Sequence, residues 1–244
     1  MINFAIVTLG HIKHKIDVDR IRSWSSKLFR VSSISTCQNI PDGRIGWQAY
    51  TDDDLSFVRP ATDADITVAI TEYALEGNFY IRHTASGVIV MSFYEVGDLL
   101  EWQSIPLEHF VIRNLYELGL IFQLYGRLVP TRERVPDIIH DETRSCLFDM
   151  NGLKSDVVFS TAHPSVCDQC RARLSSSQLP SGTLRNLERE LRRIRKPLYY
   201  RIAGFVRQRP VLSLCIAATA GFLLNVLANV AYDVLKRLFE HSCP

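Results

Sequence analysis

The middle of the chain carries two apolar runs, DADITVAITE at residues 63–72 and GVIVMSFYEV at residues 87–96. Both are rich in β-branched and aromatic residues, which favour extended backbone, and both are short enough for strands. Upstream, INFAIVTLG at residues 2–10 has the same character. The three runs therefore predict strands of one sheet.

Two segments with helical spacing accompany these strands. In DVDRIRSWSSKLF, residues 17–29, Asp17 is a candidate N-cap and four apolar side chains share one helical face: Val18, Ile21, Trp24 and Leu28. The second segment, residues 106–129, begins with Pro106, which suits a first helical turn, and has an apolar stripe. The predicted order β-α-β-β-α indicates a mixed sheet with helices against it, hence an α/β protein, with α+β as the alternative.

The composition is that of a folded protein, with 47% hydrophobic and 22% charged residues in a chain of 244. The apolar run at the N-terminus is short, has no basic segment before it, and is typical of a strand rather than of an export signal. We therefore expect a cytosolic environment, in which clustered cysteines favour metal binding over disulfides.

The densest group of thiols and imidazoles lies in HDETRSCLFDMNGLKSDVVFSTAHPSVCDQC, residues 140–170, which holds three of the six cysteines and two of the seven histidines. Cys167 and Cys170 form a C-x-x-C pair. Cys146 and His140 complete a Cys₃His set, a full tetrahedral shell for a structural Zn²⁺. The run VVFS at residues 157–160 is a candidate strand that joins the two halves of the site.

Three other side chains are candidates for the fourth ligand in place of His140: Asp141, Asp149 and His163. A redox C-x-x-C or a disulfide is the competing interpretation of the thiols. A thioredoxin-like pair follows a strand, opens a helix and has no third cysteine nearby, whereas Cys146 precedes this pair at a spacing typical of zinc ribbons.

This segment resembles that of the archaemetzincins, zinc metallopeptidases in which an HExxHxxGxxH helix and turn is followed by Cys-x4-Cys-x-Met and later by Cys-x2-Cys. His140 stands where that family has its third catalytic histidine, and Asp141 where it has its first structural cysteine. Cys146, Cys167 and Cys170 match the other three cysteines. The strands upstream resemble the sheet before the active helix of such zincins, so the resemblance implies a zincin-like domain with a structural zinc.

The sequence departs from that family where catalysis would occur, because it contains no HExxH motif. Counting back from His140 places Pro130, Thr131 and Arg134 where the metal-binding and basic residues would stand, and none of them can serve. The resemblance thus implies an inactive domain, which we expect to act in binding, sensing or effector signalling. A degenerate enzyme domain fused to a membrane helix is similar in architecture to modules of prokaryotic stress or anti-phage systems. The ligand of the domain would be an unknown protein or small molecule.

Two alternatives stay open. One is an active zinc peptidase with non-standard metal ligands, for which His11, His109 and Glu117 are the candidates. The other is a structural adaptor at a membrane. Glu72, at the end of the strand DADITVAITE, is the remaining carboxylate that would face a cleft at a sheet edge.

The last part of the chain contains 22 residues without a charge, 211–232. At about 1.5 Å per residue such a helix spans roughly 33 Å, enough to cross a bilayer. Nine Lys or Arg residues precede it, between Arg185 and Arg209, against two Glu. This flank favours a cytoplasmic membrane surface over nucleic acid, so we expect a single-pass protein with a cytoplasmic N-terminal domain.

Small and polar residues lie along one seam of this span: Ala218, Gly221, Asn225 and Ala228. Small side chains let helices approach closely and an amide finds a partner across the interface, so the seam predicts a homo-oligomer. A monomeric anchor is the alternative.

The predicted organisation has four parts. Residues 1–175 form the zincin-like domain, with the zinc site at 136–175; residues 176–209 form a linker and basic helix. Residues 210–233 cross the membrane and residues 234–244 form a short tail.

Overall fold

The computed structural model describes residues 1–38, 40, 49–126, 137–195, 198, 202, 205–206 and 209–240. The chain divides into two compact units, Met1–Lys196 and Pro197–Pro244.

A five-stranded mixed sheet forms the centre of the first unit. Its strands are β1 (Ile2–Leu9), β2 (Phe29–Cys37), β3 (Ile66–Thr71), β4 (Ile81–His83) and β5 (Val88–Ser92). Their order is β2-β1-β3-β5-β4, with every pair parallel except β4 and β5, which are antiparallel. Every residue of β3 and β5 is buried, as expected for strands covered on both faces. The predicted α/β class is confirmed.

Helix α1 (Val18–Arg22) is shorter than the sequence predicted. It has the expected cap, since Asp17 accepts a hydrogen bond from the Arg20 backbone, but it ends after five residues. The prediction of one helix through Leu28 was therefore wrong, and Trp24 lies in a turn. From Phe29 the chain pairs in parallel with β1, and residues 23–28 form the connection between α1 and this strand.

Helix α3 (Leu107–Tyr125) lies at the centre of the hydrophobic core, and its first fifteen residues are all buried. Pro106 stands at its N-cap and Gly126, with a positive φ of 71°, ends it. The shorter helix α2 (Val96–Trp102) precedes it, and together they follow the sheet in the chain. A helix buried on all sides can carry polar side chains only if they are paired, which matters for the site below.

Three helices close the first unit: α4 (Val157–Ala162), α5 (Asp168–Ser176) and α6 (Thr183–Leu191). Leu187, Leu191 and Ile194 belong to the hydrophobic core. The compact unit thus extends to Lys196, beyond the predicted boundary at residue 175, because the amphipathic face of α6 is buried rather than solvated.

A buried carboxylate anchors α6. Glu190 accepts hydrogen bonds from Ser26 Oγ at 2.7 Å, Tyr116 Oη at 2.8 Å and the Lys27 backbone at 2.9 Å. Trp24 Nε1 donates to the same Tyr116 hydroxyl, and the Arg193 guanidinium lies 4.6 Å from the Trp24 ring centroid. The turn after α1, α3 and α6 are therefore joined by one polar network.

The second unit contains helix α7 (Pro210–Glu240). Its first twenty residues, Pro210–Asn229, are long and apolar enough to cross a membrane by length and composition, and none of the span is buried within the chain.

Candidate metal centre

Four side chains converge on one point in the segment that follows α3: His140, Cys146, Cys167 and Cys170. One ligand atom from each lies within 4.8 Å of the other three. The Cys167 Sγ to His140 Nε2 distance is 3.5 Å. A tetrahedral zinc with bonds of about 2.3 Å to sulfur and about 2.0 Å to nitrogen separates such atoms by roughly 3.5 Å. The geometry therefore fits a metal with a Cys₃His shell.

Backbone bridges, not a strand, hold the two halves of the cluster together. His140 pairs with Asp149 and Cys146 pairs with Ser165 in isolated parallel bridges. Leu147 donates its backbone N–H to the Ser165 carbonyl at 2.7 Å. The predicted strand at residues 157–160 was wrong, since these residues lie in α4.

Asp149 fixes the turn that presents Cys146. Its Oδ2 accepts hydrogen bonds from the backbone N–H groups of Arg144 and Cys146, both at 2.9 Å. Its Oδ1 lies 3.5 Å from His140 Nδ1, which also contacts the Glu142 carbonyl at 3.1 Å. Because Nδ1 has these partners, Nε2 is the nitrogen that faces the thiols, as in second-shell support of a metal-bound histidine.

The C-x-x-C pair opens helix α5. Cys167 is its N-cap, and Cys170 lies in the first turn and is fully buried. The Cys167 backbone N–H points at Cys146 Sγ over 3.4 Å. A position at the start of a helix is one feature of a redox pair. Here, however, ligand atoms of Cys146 and His140 lie within 4.8 Å of both thiols, which is the arrangement of a metal site.

The site favours a thiolate even within the protein alone. A hydrogen bond from the Cys170 thiol, assisted by backbone N–H groups and opposed by burial, lowers the pKa of Cys146 to about 4. The donated hydrogen bond to Cys146 and burial raise the pKa of Cys170. The thiolate is the form of cysteine that binds a divalent cation.

Of the candidates for the fourth ligand, His140 is the one in the cluster. Asp149 lies behind His140 as its support, and Asp141 and His163 are not among the four converging residues.

A buried salt bridge occupies α3 at the spacing of a zinc-binding helix. Arg113 and Glu117 are four residues apart, with Arg113 Nη1 2.7 Å from Glu117 Oε2, and Asn114 lies between them. HExxH motifs use these offsets, i, i+1 and i+4, for histidine, glutamate and histidine. Arg113 also donates to Asn114 Oδ1 and to the Leu147 carbonyl, which ties α3 to the loop after Cys146.

The three positions counted back from His140, namely Pro130, Thr131 and Arg134, lie outside the described residues. The apolar stripe on α3 was the sequence signal for the Arg113–Glu117 ion pair, because charged side chains within a buried stripe need a partner.

The remaining candidate ligands do not converge with one another. His109 Nε2 lies 3.0 Å from Arg20 Nη2, while Glu117 is paired with Arg113 and His11 is exposed. Within the described residues, the group that could hold a metal is the Cys₃His cluster.

Glu72 belongs to a cluster that sequence reasoning did not find. The buried His14 ring lies between two carboxylates, with Nδ1 2.8 Å from Glu72 Oε1 and Nε2 3.0 Å from Asp98 Oδ1. A Cβ at Gly97 would stand 2.5 Å from the ring, so α2 approaches it closely. Both ring nitrogens are engaged, so the cluster braces the loops after β1 and β3.

No family model, curated protein or solved structure matches the chain. The likeness to archaemetzincins therefore stays a prediction from the sequence.

The four predicted seam residues of the span lie on α7: Ala218, Gly221, Asn225 and Ala228. All four are exposed, and an added Cβ at Gly221 would meet no atom within 4 Å. Asn229 Nδ2 lies 3.5 Å from Asn225 Oδ1, so the Asn225 amide has a partner on its own helix.

Proposed function

We propose that the chain is a membrane-anchored binding or sensing protein, built on a catalytically inactive zincin-like domain with one structural zinc. The observation that carries the proposal is the pairing of a complete Cys₃His cluster with an ion pair on the central helix α3.

The zinc assignment rests on the donor set. Three sulfurs and one imidazole select a soft or borderline metal, and four protein ligands leave no open position for water or substrate. A closed shell of this kind contributes folding free energy rather than chemistry.

The proposed lack of peptidase activity is supported by α3. A guanidinium is permanently charged and cannot bind a metal, and here it pairs with the carboxylate one turn on. Among the described residues, two histidines at i and i+4 with an adjacent Glu do not occur.

The membrane role rests on α7 and on the basic residues before it. Cations near anionic headgroups favour a cytoplasmic location of that flank, so the first unit would face the cytoplasm. The uncovered span and its small residues support self-association, through which binding to the domain would change the state of the oligomer.

Metal analysis of the purified full-length chain, combined with a peptidase assay, tests the proposal. We expect one zinc per chain and no cleavage of unstructured protein substrates. Two zinc ions per chain with cleavage would establish the active-peptidase alternative instead. A metal-free chain with an unchanged thermal midpoint would contradict the structural zinc.

A further inference from the structure

Every exposed residue from position 185 to position 195 is an arginine, and these arginines lie on helix α6 or directly after it. They are Arg185, Arg189, Arg192, Arg193 and Arg195. At 3.6 residues per turn, the first three fall within about 60° of one another around the helix axis. Arg185, Arg189 and Arg192 therefore form one row, which we call the arginine face of α6.

The arginine face points away from the body of the first unit. The same spacing places it opposite the buried side of α6, which carries Thr183, Leu187 and Leu191. Leu187 and Leu191 belong to the hydrophobic core, and the buried Glu190 holds the helix through its polar network. Because the apolar side of α6 is used within the domain, this helix cannot insert it into a bilayer. A partner of the exposed side must be bound through charge.

Neighbouring carboxylates do not cancel the charge of this face. Glu188 Oε1 lies 2.8 Å from Arg171 Nε, and Glu190 is buried on the other side of the helix. Arg189 Nη2 donates to Asn186 Oδ1 at 2.6 Å, which is a neutral partner. Among the residues that the structure describes, no carboxylate forms a salt bridge with an arginine of this face. Three guanidinium groups are thus available to an anionic partner.

We propose that the arginine face of α6 docks the folded domain onto the anionic headgroups of the bilayer that α7 crosses. A guanidinium group forms paired hydrogen bonds with phosphate or carboxylate oxygens, and anionic phospholipids carry both. Each arginine near an anionic leaflet strengthens such binding about fivefold. This inference rests on the proposed membrane anchoring, and it adds that the domain itself contacts lipid.

The chain that joins α6 to the span makes this contact effective. The span begins at Pro210, and residues 196–209 connect it to the arginines. Even when fully extended, a chain of this length reaches only about 50 Å. A surface tethered so closely meets its partner at an effective concentration on the order of mM. A soluble nucleic acid shares the phosphate chemistry but lacks this tether, so the membrane is the favoured partner.

Energy transfer between the N-terminus and the bilayer measures docking. The Ile2 N–H donates to the Leu28 carbonyl at 3.0 Å, and the adjacent Lys27 N–H donates to Glu190 of α6 at 2.9 Å. A donor fluorophore on the N-terminal amine therefore lies on the side of the domain that carries α6.

The full-length, zinc-loaded chain is placed in nanodiscs that carry an acceptor on a few headgroups. One set is made of phosphatidylcholine, and the other of phosphatidylcholine mixed with phosphatidylserine. We expect more energy transfer in the anionic set. We expect this difference to disappear at about 1 M salt, where the Debye length falls to about 3 Å.

Two triple variants at the same positions separate charge from structure. Replacing Arg185, Arg189 and Arg192 by Gln should lower the ratio of docked to undocked chains roughly a hundredfold. Replacing all three by Lys is the matched control, since it keeps the charges, and it should lower the ratio less than about fivefold. All three positions are exposed, so both variants should keep the wild-type thermal midpoint. If the Gln triple variant does not keep it, Arg192→Gln alone should still lower the ratio about fivefold.

Equal energy transfer in the two sets of nanodiscs, or unchanged transfer in the Gln variant, would overturn this inference for a chain that inserts and holds one zinc, and would leave the proposed function intact. A single-stranded RNA that abolishes the transfer in anionic nanodiscs would assign the face to nucleic acid instead. A full-length chain that stays monomeric in plain buffer would overturn the membrane anchoring on which the inference rests.

Discussion

At the scale of single residues, the thiols of the metal cluster hold two elements together. Cys146 comes from the loop after α3 and Cys170 from the first turn of α5, and backbone bridges and an Arg144–Gln169 hydrogen bond join the two segments. A metal bound by all four ligands would add a further constraint between these elements.

We expect Cys170→Ser to lose the metal and to unfold residues 137–176. Zinc binding at such a site contributes about 10 kcal/mol or more to the free energy of folding. Zinc content and limited proteolysis measure this. Ser160→Ala, a nearby buried change outside the cluster, is the control. A Cys170→Ser chain with full zinc content would show that the site is not the one described.

Glu117 makes the folding stability of the domain depend on pH. Burial, only partly offset by Arg113, raises the pKa of Glu117 from 4.5 to about 7. The folded state thus binds this proton more tightly than the unfolded state, so the contribution is full below about pH 4.5 and is lost as pH rises through 7.

The stability of the wild type relative to Glu117→Gln should therefore fall by up to about 3 kcal/mol between these pH values. Denaturant unfolding of both chains across this range measures the difference, in which the metal contribution cancels. A constant difference would mean that Glu117 is ionised throughout.

At the scale of elements, helix α6 is fixed to the domain by Glu190. Glu190→Leu leaves three donors without an acceptor and should cost about 2–5 kcal/mol of unfolding free energy. Arg189→Ala, on the exposed side of the same helix, should cost less than about 0.5 kcal/mol. Thermal unfolding of both variants checks this, and equal effects would contradict the anchoring role.

Substitutions in the apolar span of α7 test whether this helix associates with a second copy of itself. An added Cβ at Gly221 meets no atom of the described residues within 4 Å, so we attribute an effect of Gly221→Leu to a neighbouring helix. We expect it to reduce cross-linking in membranes more strongly than Asn225→Leu, because the Asn225 amide already contacts Asn229. An unchanged cross-linking pattern in both variants would define α7 as an anchor alone.

Composition and spacing predicted the elements that are apolar along their length: β1, β3, β5, α3 and the span. Strand β2 was missed because its sequence, FRVSSISTC, is half polar and its pairing with β1 is a long-range contact. Strand β4 has three residues, too few to show the alternation of apolar and polar side chains that marks a strand.

The Cys₃His set was predictable because metal ligands need fixed spacings. The Glu190 network was not, because it joins residues up to 164 positions apart in the sequence.

At the scale of the whole molecule, the boundary between the two units determines which fragment can fold without the rest of the chain. A chain that ends at residue 196 retains α6 and should be monomeric in plain buffer. One that ends at residue 181 removes Leu187, Leu191 and Ile194 from the core, so it should aggregate or melt at a lower temperature. Size-exclusion chromatography of both fragments makes the comparison, and equal behaviour would place the boundary near residue 181.

The Arg113–Glu117 pair also limits how the sequence can change. A histidine at position 113 alone would leave the Glu117 carboxylate buried without its cation, and a histidine at 117 alone would strand the guanidinium. Each of these single substitutions breaks one buried pair and should cost roughly 3–5 kcal/mol. For a domain of ordinary stability this is a large part of the total. Positions 113 and 117 are therefore epistatic: a change at one of them should be tolerated only together with a compensating change at the other.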